Sequence, residues 1–450
     1  MEQTNSRLFS NRQLMRLIIP LVIEQILAIM VGLCDGIMVS AVGEAAISGV
    51  SLVDMINNVV LNLFAALATG GAVVTSQFLG ARAQKDAQRS AGQLVTMALI
   101  FGLLIMGLCL VLARNLMDLF FGSIEDDVMD AGMQYFRITA LSFPFIALYN
   151  AGAAIFRSEG NSKLSMKVSI LMNALNVAGN AICIYGLRMD VSGVAIPTLI
   201  SRAVAAGVIL RITMQPSHIL QVRFRDFLPL QGRMVKSILH IGIPSAFENS
   251  LFQLGRVVVV SMIALFGTVQ TSANAVANNL DALGIMFGQA MGLAMITVIG
   301  QCVGAGDAAQ VKYYTRKLML WAYLSVGVTC ALEILFQDQL IGLYSSLSPE
   351  TVALTKKLVT IHQGMAILLW PSSFVLPNAL RASNDVRFTM VVSAASMLVM
   401  RVAVSWVFCV RFGFGAVGVW WAMILDWIVR AAFFVTRAIS GKWKTKCSLG

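Results

Sequence analysis

Twelve apolar stretches, each long enough to cross about 30 Å of hydrocarbon, run through this sequence. They fall near residues 14–42, 50–79, 91–113, 131–156, 164–187, 192–216, 237–266, 271–303, 314–337, 353–380, 388–410 and 416–438. Inside a bilayer every backbone polar group must be satisfied by the chain itself, which leaves helices or a closed barrel. Continuous apolar runs of this length predict helices. The expected fold class is an all-α membrane protein with 12 transmembrane helices. Charged residues make up only 12% of the chain and apolar residues 58%, against about 25% charged in soluble domains, so a soluble domain is excluded.

The net charge of +11 would suggest nucleic acid if it lay on one soluble face. Instead it alternates from loop to loop. The N-terminal segment, every second loop and the C-terminal segment carry 22 Lys and Arg residues. The opposite loops carry five (Arg114, Arg188, Lys356, Lys357 and Arg411) and the acidic run "GSIEDDVMD". The positive-inside rule then predicts a multi-pass protein of the inner (plasma) membrane with both termini cytoplasmic. Its partners are the lipid bilayer and small molecules rather than nucleic acid, and a monomer is expected. The first apolar stretch is too long for a signal h-region and is followed by no small-residue cleavage site, so it reads as the first span. Six of the seven Cys lie in apolar stretches, with no CxxC spacing. They read as small buried hydrophobes, and no cofactor is expected.

The chain repeats itself at a fixed offset, the one that separates Pro20 from Pro244. "IIPLVIEQIL" (18–27) lies over "GIPSAFENSL" (242–251), which also matches Glu24 to Glu248. Gly43 falls on Gly267, "QFLGA" (77–81) on "QCVGA" (301–305), and "RSEGNSKLSMKVS" (157–169) on "RASNDVRFTMVVS" (381–393). Six spans per half is an even number, so the halves are parallel repeats, a transporter architecture. The expected organisation is an N-lobe over 1–217, a cytoplasmic connecting loop over 218–236 and a C-lobe over 237–450.

The symmetry fails at Asp35, whose counterpart is Val259. A carboxylate inside a lipid-spanning helix costs about 3 kcal/mol or more and usually marks an ion path. Asp35 lies seven residues from the outer end of span 1, about 10 Å down. Asn176 and Asn180 sit one helical turn apart in span 5, with Asn180 at the same depth. Thr198 lies six residues into span 6, directly after Pro197. Three helices thus offer a carboxylate, two amides and a hydroxyl at one level. These are hard oxygen ligands for Na⁺, with Asp35 the metal ligand in that case, or a place to hold a proton. The alternative is that the Asn and Thr side chains merely join helices.

Other intramembrane charges divide differently. Glu24 and Glu248 lie near the cytoplasmic end of their spans and read either as a relay or as a symmetric structural hydrogen bond. Arg401 and Asp426, at similar depth in spans 11 and 12, read as a structural ion pair that Arg430, four residues after Asp426, can share. Asp281, opposite Asn57 of the first half, reads either as a cavity residue or as a helix contact.

Taken together, "MVGLCDGIMVSAVG", "QFLGARAQKDAQR", "QCVGAGDAAQ", "IFRSEGNSKLSM", "NALNVAGNAICIYG", "GVAIPTLIS" and "GVWWAMILDWIVRAAFF" resemble the MATE (multidrug and toxic compound extrusion) transporters in order and spacing along the whole chain. The resemblance implies a V-shaped pair of six-helix bundles and an antiporter with alternating access. It implies export of amphipathic, often cationic compounds against inward H⁺ or Na⁺. Asp35 would carry the coupling charge, with Asn176, Asn180 and Thr198 helping to build its site. Many members with such a site have Asp where this chain has Asn180, which leaves one carboxylate rather than two. Span 10 has no acid.

Two other readings compete. A flippase of lipid-linked or other amphiphilic metabolites would call for several basic residues in a cavity, for which Arg202, Arg256 and Arg401 are the candidates. An intramembrane enzyme would need clustered Asp or a His–Asp pair. No DDxxD-like cluster occurs, and His218, His240 and His362 lie scattered near helix ends, so no enzyme is expected.

Overall fold

The computed structural model describes residues 7–122, 125–344 and 347–446, and no strand occurs among them. The first half comprises α1 (Asn11–Ser40), α2 (Glu44–Gly80), α3 (Gln84–Val111), the short α4 (Ala113–Phe121), α5 (Asp126–Leu141), α6 (Phe143–Ser158), α7 (Ser162–Ala181) and α8 (Ser192–Thr213). After the single turn α9 (Phe224–Phe227) come α10 (Gly232–Ala264), α11 (Thr268–Gly304), α12 (Ala308–Leu335), the short α13 (Gln337–Gly342), α14 (Pro349–Trp370), α15 (Leu376–Ala382), α16 (Val386–Ser396) and α17 (Gly415–Ser440). Wide π-helical turns follow α7 at Ile182–Gly186, join α14 to α15 at Pro371–Val375, and extend α16 at Met397–Val404 and Val407–Arg411.

Ten of these spans are long and apolar enough to cross a membrane outright. An eleventh is the pair α5 and α6, bent by 46°. The bend falls at Ser142, because Pro144 in the first turn of α6 has no N–H to continue the α5 ladder. The twelfth is α10. Its 33 residues reach about 50 Å at 1.5 Å per residue, but Glu248, Asn249, Gln253 and Arg256 dilute its apolar content. Ten or eleven helices thus meet the length and apolarity of a membrane span, and with α10, long but more polar, the arrangement is consistent with twelve helices.

The backbone obeys the sequence repeat closely. α2 and α11 have 37 residues each, and α3 and α12 have 28 each. Gly43 (φ 141°, ψ 170°) and Gly267 (φ 90°, ψ −177°) precede matching helices in a conformation essentially reserved for glycine. Gly160 (φ 80°) matches Asn384 (φ 64°), the non-glycine type that best tolerates this left-handed turn.

Two compact units result, Arg12–Ala246 and Phe247–Gly450, with residues 7–11 belonging to the second. The change of unit falls inside α10 rather than in a loop. Residues 218–236 belong to the first unit and are hydrogen-bonded to it. Gln93 Nε2 of α3 donates to the carbonyl of Asp226 at 3.0 Å, and its Oε1 accepts from the Gln231 N–H at 2.9 Å. The Leu220 N–H donates to Glu159 at 2.5 Å. Burial pushes the Glu159 carboxyl up from the ordinary range, against the pull of that N–H. In the second unit the Leu8 N–H reaches Gln310 Oε1 at 2.9 Å, and the Tyr314 hydroxyl donates to the Phe9 carbonyl at 2.7 Å.

Candidate functional site

In the first unit α7 and α8 touch through their smallest surface. Gly179 has no side chain, and the Pro197 ring fills the space where its Cβ would be. This contact aligns the faces that carry Asn176, Asn180 and Thr198, all buried. Asn176 Nδ2 donates to Thr198 Oγ1 at 2.9 Å, and Thr198 donates on to the Val194 carbonyl at 2.9 Å. Asn180 Nδ2 donates to Asp35 Oδ1 at 2.8 Å and lies 3.5 Å from Asn176 Oδ1. The four residues singled out by depth alone therefore form one continuous polar chain across α1, α7 and α8. Asn180 Oδ1 is fully buried in it and has no hydrogen-bond partner.

A second set adjoins it. Asp54 of α2 accepts from the Tyr135 hydroxyl of α5 at 3.2 Å and from Asn57 Nδ2 at 3.3 Å. The charges of Asp54 and Arg202 both act on Asp35. Arg202 Nη1 donates to Ser142 Oγ, at the bend between α5 and α6, at 2.7 Å. The first unit thus holds two neighbouring carboxylates, not the one left by Asn at position 180. Asp54, Tyr135 and Arg202 were absent from the expected set. Asp54 was detectable, since it is an acid four residues inside an apolar stretch, the same signal that marks Asp35.

Glu24 and Glu248 are each tied to an arginine of the same unit. Glu24 Oε1 accepts from Ser165 Oγ at 2.6 Å, and its Oε2 lies 3.7 Å from Arg157 Nη1. Glu248 Oε2 lies 2.7 Å from Arg381 Nη2. Arg157 and Arg381 are themselves matched by the repeat, so the ion pair recurs along with the fold. Asp426 is reached by both Arg401 and Arg430, the second more closely. Its Oδ1 accepts from Arg430 Nε at 2.9 Å, whereas Arg401 Nη1 stands 4.0 Å from its Oδ2. Arg430 lies one turn along the same helix and reaches Asp426 with no interhelical gap to cross. Arg401 lies over the Phe252 ring at 5.0 Å, and its buried Nε has no hydrogen-bond partner.

Asp281 makes a contact between helices, the second of its two expected roles. Its Oδ1 lies 2.7 Å from Nε2 of His362, which is buried on α14 and not scattered at a helix end. Among the described residues no three His, Cys, Asp or Glu side chains come together as a metal site requires. The chain from Asp35 to Thr198 carries a different donor set, one carboxylate with amide and hydroxyl oxygens.

The MatE family profile matches residues 20–182 and again residues 244–407, two segments that begin at the repeat partners Pro20 and Pro244. The chain belongs to the MatE family. Its members are membrane transporters rather than enzymes. The chain is 29% identical over 436 residues to the uncharacterized transporter YisQ of Bacillus subtilis, covering 95% of this chain and 94% of that protein. It is 25% identical over 448 residues to the probable multidrug resistance protein NorM of Thermotoga maritima, covering 97% and 94%. Among solved structures it superposes on an outward-facing multidrug resistance MATE transporter of the MOP superfamily (TM-score 0.87, 23% identity, 95% and 96% covered). It also superposes on a MOP superfamily transporter from Pyrococcus furiosus, for which a binding pocket of reversed polarity and a different function are described (TM-score 0.88, 22% identity, 95% of each chain covered). Both likenesses fix the fold. As a MATE transporter, the protein is a multi-pass membrane protein that handles small molecules and needs no cofactor.

Proposed function

We propose that this MATE transporter is a secondary antiporter that exports amphipathic, often cationic compounds in exchange for inward H⁺ or Na⁺ bound at Asp35. The observation that carries the reading is the buried polar chain from Asp35 through Asn180 and Asn176 to Thr198, with Asn180 Oδ1 left without a donor. A buried carbonyl oxygen without a partner is costly, and a cation beside Asp35 would satisfy it. Asp35, Asn180, Asn176 and Thr198 would supply carboxylate, amide and hydroxyl oxygens to Na⁺. A proton would go to Asp35 alone. A proton removes the charge on Asp35 that the Asn180 donor serves and so weakens the tie between α1 and α7, whereas Na⁺ would replace that hydrogen bond by joining Asp35 to Asn180 Oδ1. Pro197, beside Thr198, leaves α8 one backbone hydrogen bond short and free to bend there. Cation and substrate then exchange because each favours a different state of the carrier.

The basic loops support cytoplasmic termini, and the two units serve as N-lobe and C-lobe of an alternating-access cycle. The test is efflux from proteoliposomes with ΔpH and ΔpNa imposed separately. Asp35→Asn is expected to insert and fold yet lose gradient-driven efflux, and full export by this variant would overturn the reading. Arg401, with its unpartnered Nε, favours a second reading in which the exported amphiphile is anionic. Faster efflux of an anionic than a cationic dye of equal size would decide for it.

A further inference from the structure

The two halves repeat each other, but one groove is covered in the first and open in the second. In the first unit the connecting segment lies on α3, α6 and α8. Gln88 Nε2 donates to the Ile219 carbonyl at 3.1 Å, and Thr96 Oγ1 donates to the Phe227 carbonyl at 3.1 Å. Gly92 lies so close to Asp226 that a Cβ would come within 2.5 Å of its carbonyl oxygen. Leu220 and Val222 of the segment are fully buried. The offset that carries Pro20 to Pro244 carries Gln88, Gly92 and Thr96 to Lys312, Arg316 and Leu320 of α12. There, among the described residues, the corresponding groove between α12, α15 and α17 stays open as a cleft of about 420 Å³.

The walls of this cleft run from charged to apolar with depth. Lys312 and Arg316 stand at the mouth, one turn apart on one face of α12. Met319 and Tyr323 continue that face inward, opposite Leu376 of α15. At the inner end the Tyr323 hydroxyl and Ser372 Oγ are hydrogen-bonded to each other at 2.5 Å, so the floor asks for no polar group. Trp443, in the turn Lys442–Lys446, closes one side, with its Nε1 donating to the Ala438 carbonyl at 3.1 Å. The cleft opens sideways, where Leu320 is 57% and Ile439 80% exposed. Leu320 continues into Leu324 and Val328, an exposed apolar stripe at helical spacing of the kind a span turns toward hydrocarbon. From Lys312 to Tyr323 the wall is about 16 Å long. That is close to the depth of one leaflet, half of about 30 Å.

The mouth lacks a counter-ion. The charged residues that line the cleft are Lys312 and Arg316, and among the described residues neither has an ion-pair partner. Asp307, just before α12, is taken up by the first turn of that helix, and Asp385 is held by Arg437 at 2.6 Å. The chain beyond Trp443 brings Lys444 and Lys446, which are further cations. An apolar face of a second copy would fill the depth of the cleft and leave both cations unmatched. An amphiphile with a phosphate at one end and a chain one leaflet long matches mouth and depth together, since basic side chains beside a membrane helix attract anionic headgroups. We infer that this cleft holds a resident anionic phospholipid, with its phosphate on Lys312 and Arg316 and an acyl chain along Met319, Leu320 and Leu376. The lipid covers in the second unit the surface that the connecting segment covers in the first. The inference does not depend on Asp35 or on which ion drives the carrier.

Trp443 supplies the readout. The whole protein is reconstituted in phosphatidylcholine vesicles that contain a minor share of phosphatidylglycerol, with bromine on the acyl chains of one lipid or the other. Bromine quenches indole fluorescence on contact, and the part due to Trp443 is the difference between wild type and Trp443→Phe. Brominated phosphatidylglycerol is expected to quench Trp443 far beyond its share of the bilayer, and brominated phosphatidylcholine only in proportion to it. The preference should fall about fivefold in Lys312→Gln or Arg316→Gln and about thirtyfold in the double variant, from the attraction of each basic side chain to an anionic leaflet. Equal quenching by the two lipids, or a preference that survives the double variant, would overturn the proposal. Quenching of Trp443 by neither lipid, as when the chain itself or a second copy fills the cleft, would overturn it too. Should the double variant fail to insert, Thr315→Phe narrows the cleft while keeping both cations and must reduce quenching by brominated phosphatidylglycerol; unchanged quenching counts equally against the site.

Discussion

Adding one methyl group at Gly179 tests whether the polar chain depends on how closely α7 and α8 approach. A Cβ at this position would lie 2.7 Å from Pro197 Cβ and 3.2 Å from its Cγ. Ordinary contact begins near 3.4 Å, so the helices must part by about 0.7 Å. The proline ring has no rotamer into which to retreat. Overpacking of this kind costs about 1–3 kcal/mol. The same displacement would stretch the 2.9 Å bond from Asn176 to Thr198 to about 3.6 Å, past hydrogen-bonding range. Gly179→Ala is therefore expected to lower thermal stability in detergent and to reduce gradient-driven efflux, although no polar group has been touched. Gly186 is the control, because a Cβ there meets nothing within 4 Å, and Gly186→Ala should leave both measurements unchanged. Equal behaviour of the two variants in a melting assay and an efflux assay would refute the argument that this contact sets the site.

Three further outcomes are expected. Asp307 caps α12 by accepting from the N–H groups of Gln310 and Ala309, which hold its carboxyl below the ordinary range. Its contribution is then present above the unfolded value near 3.9 and is lost as pH falls through the lower folded value. Asp307→Ala should cost about 1 kcal/mol at neutral pH, and thermal melts of variant and wild type should converge in acid. Removing one member of the Glu248–Arg381 pair should cost about 3–5 kcal/mol by stranding the other, while replacing both by Leu should recover much of it; a double-mutant cycle of melting measurements reads this directly. Ala at Gly43 or Gly267 forces a side chain into a glycine-only conformation and should cost about 1–3 kcal/mol at either position, measurable as equal losses of thermal stability.

Some of this was written in the chain and some was not. Span positions were legible because the length of an apolar run is set by bilayer thickness. The repeat was legible because Pro20, Glu24, Gly43 and the "QFLGA" run keep a fixed spacing from their partners. That Asp35, Asn176, Asn180 and Thr198 meet was legible for a geometric reason: counting residues from a helix end gives depth, and groups at one depth in neighbouring spans can meet. Azimuth around the helix axis cannot be counted in this way. Helices that are apolar on nearly every side carry little signal of which face turns inward. That Asp54 meets Tyr135, and that Asp281 meets His362, depends on azimuth across several helices, and so these groupings were not foreseen although most of the residues were visible.

The sequence by itself determined how many times the chain crosses the membrane, that it does so twice over in similar halves, and at what depth its charges lie. Each of these follows from periodicity and length along one dimension. Which charges face one another was decided only by the tertiary structure, because a salt bridge is settled within a few ångströms by how helices rotate and approach, here at contacts as small as Gly179 on Pro197 and Gly284 on Gln363.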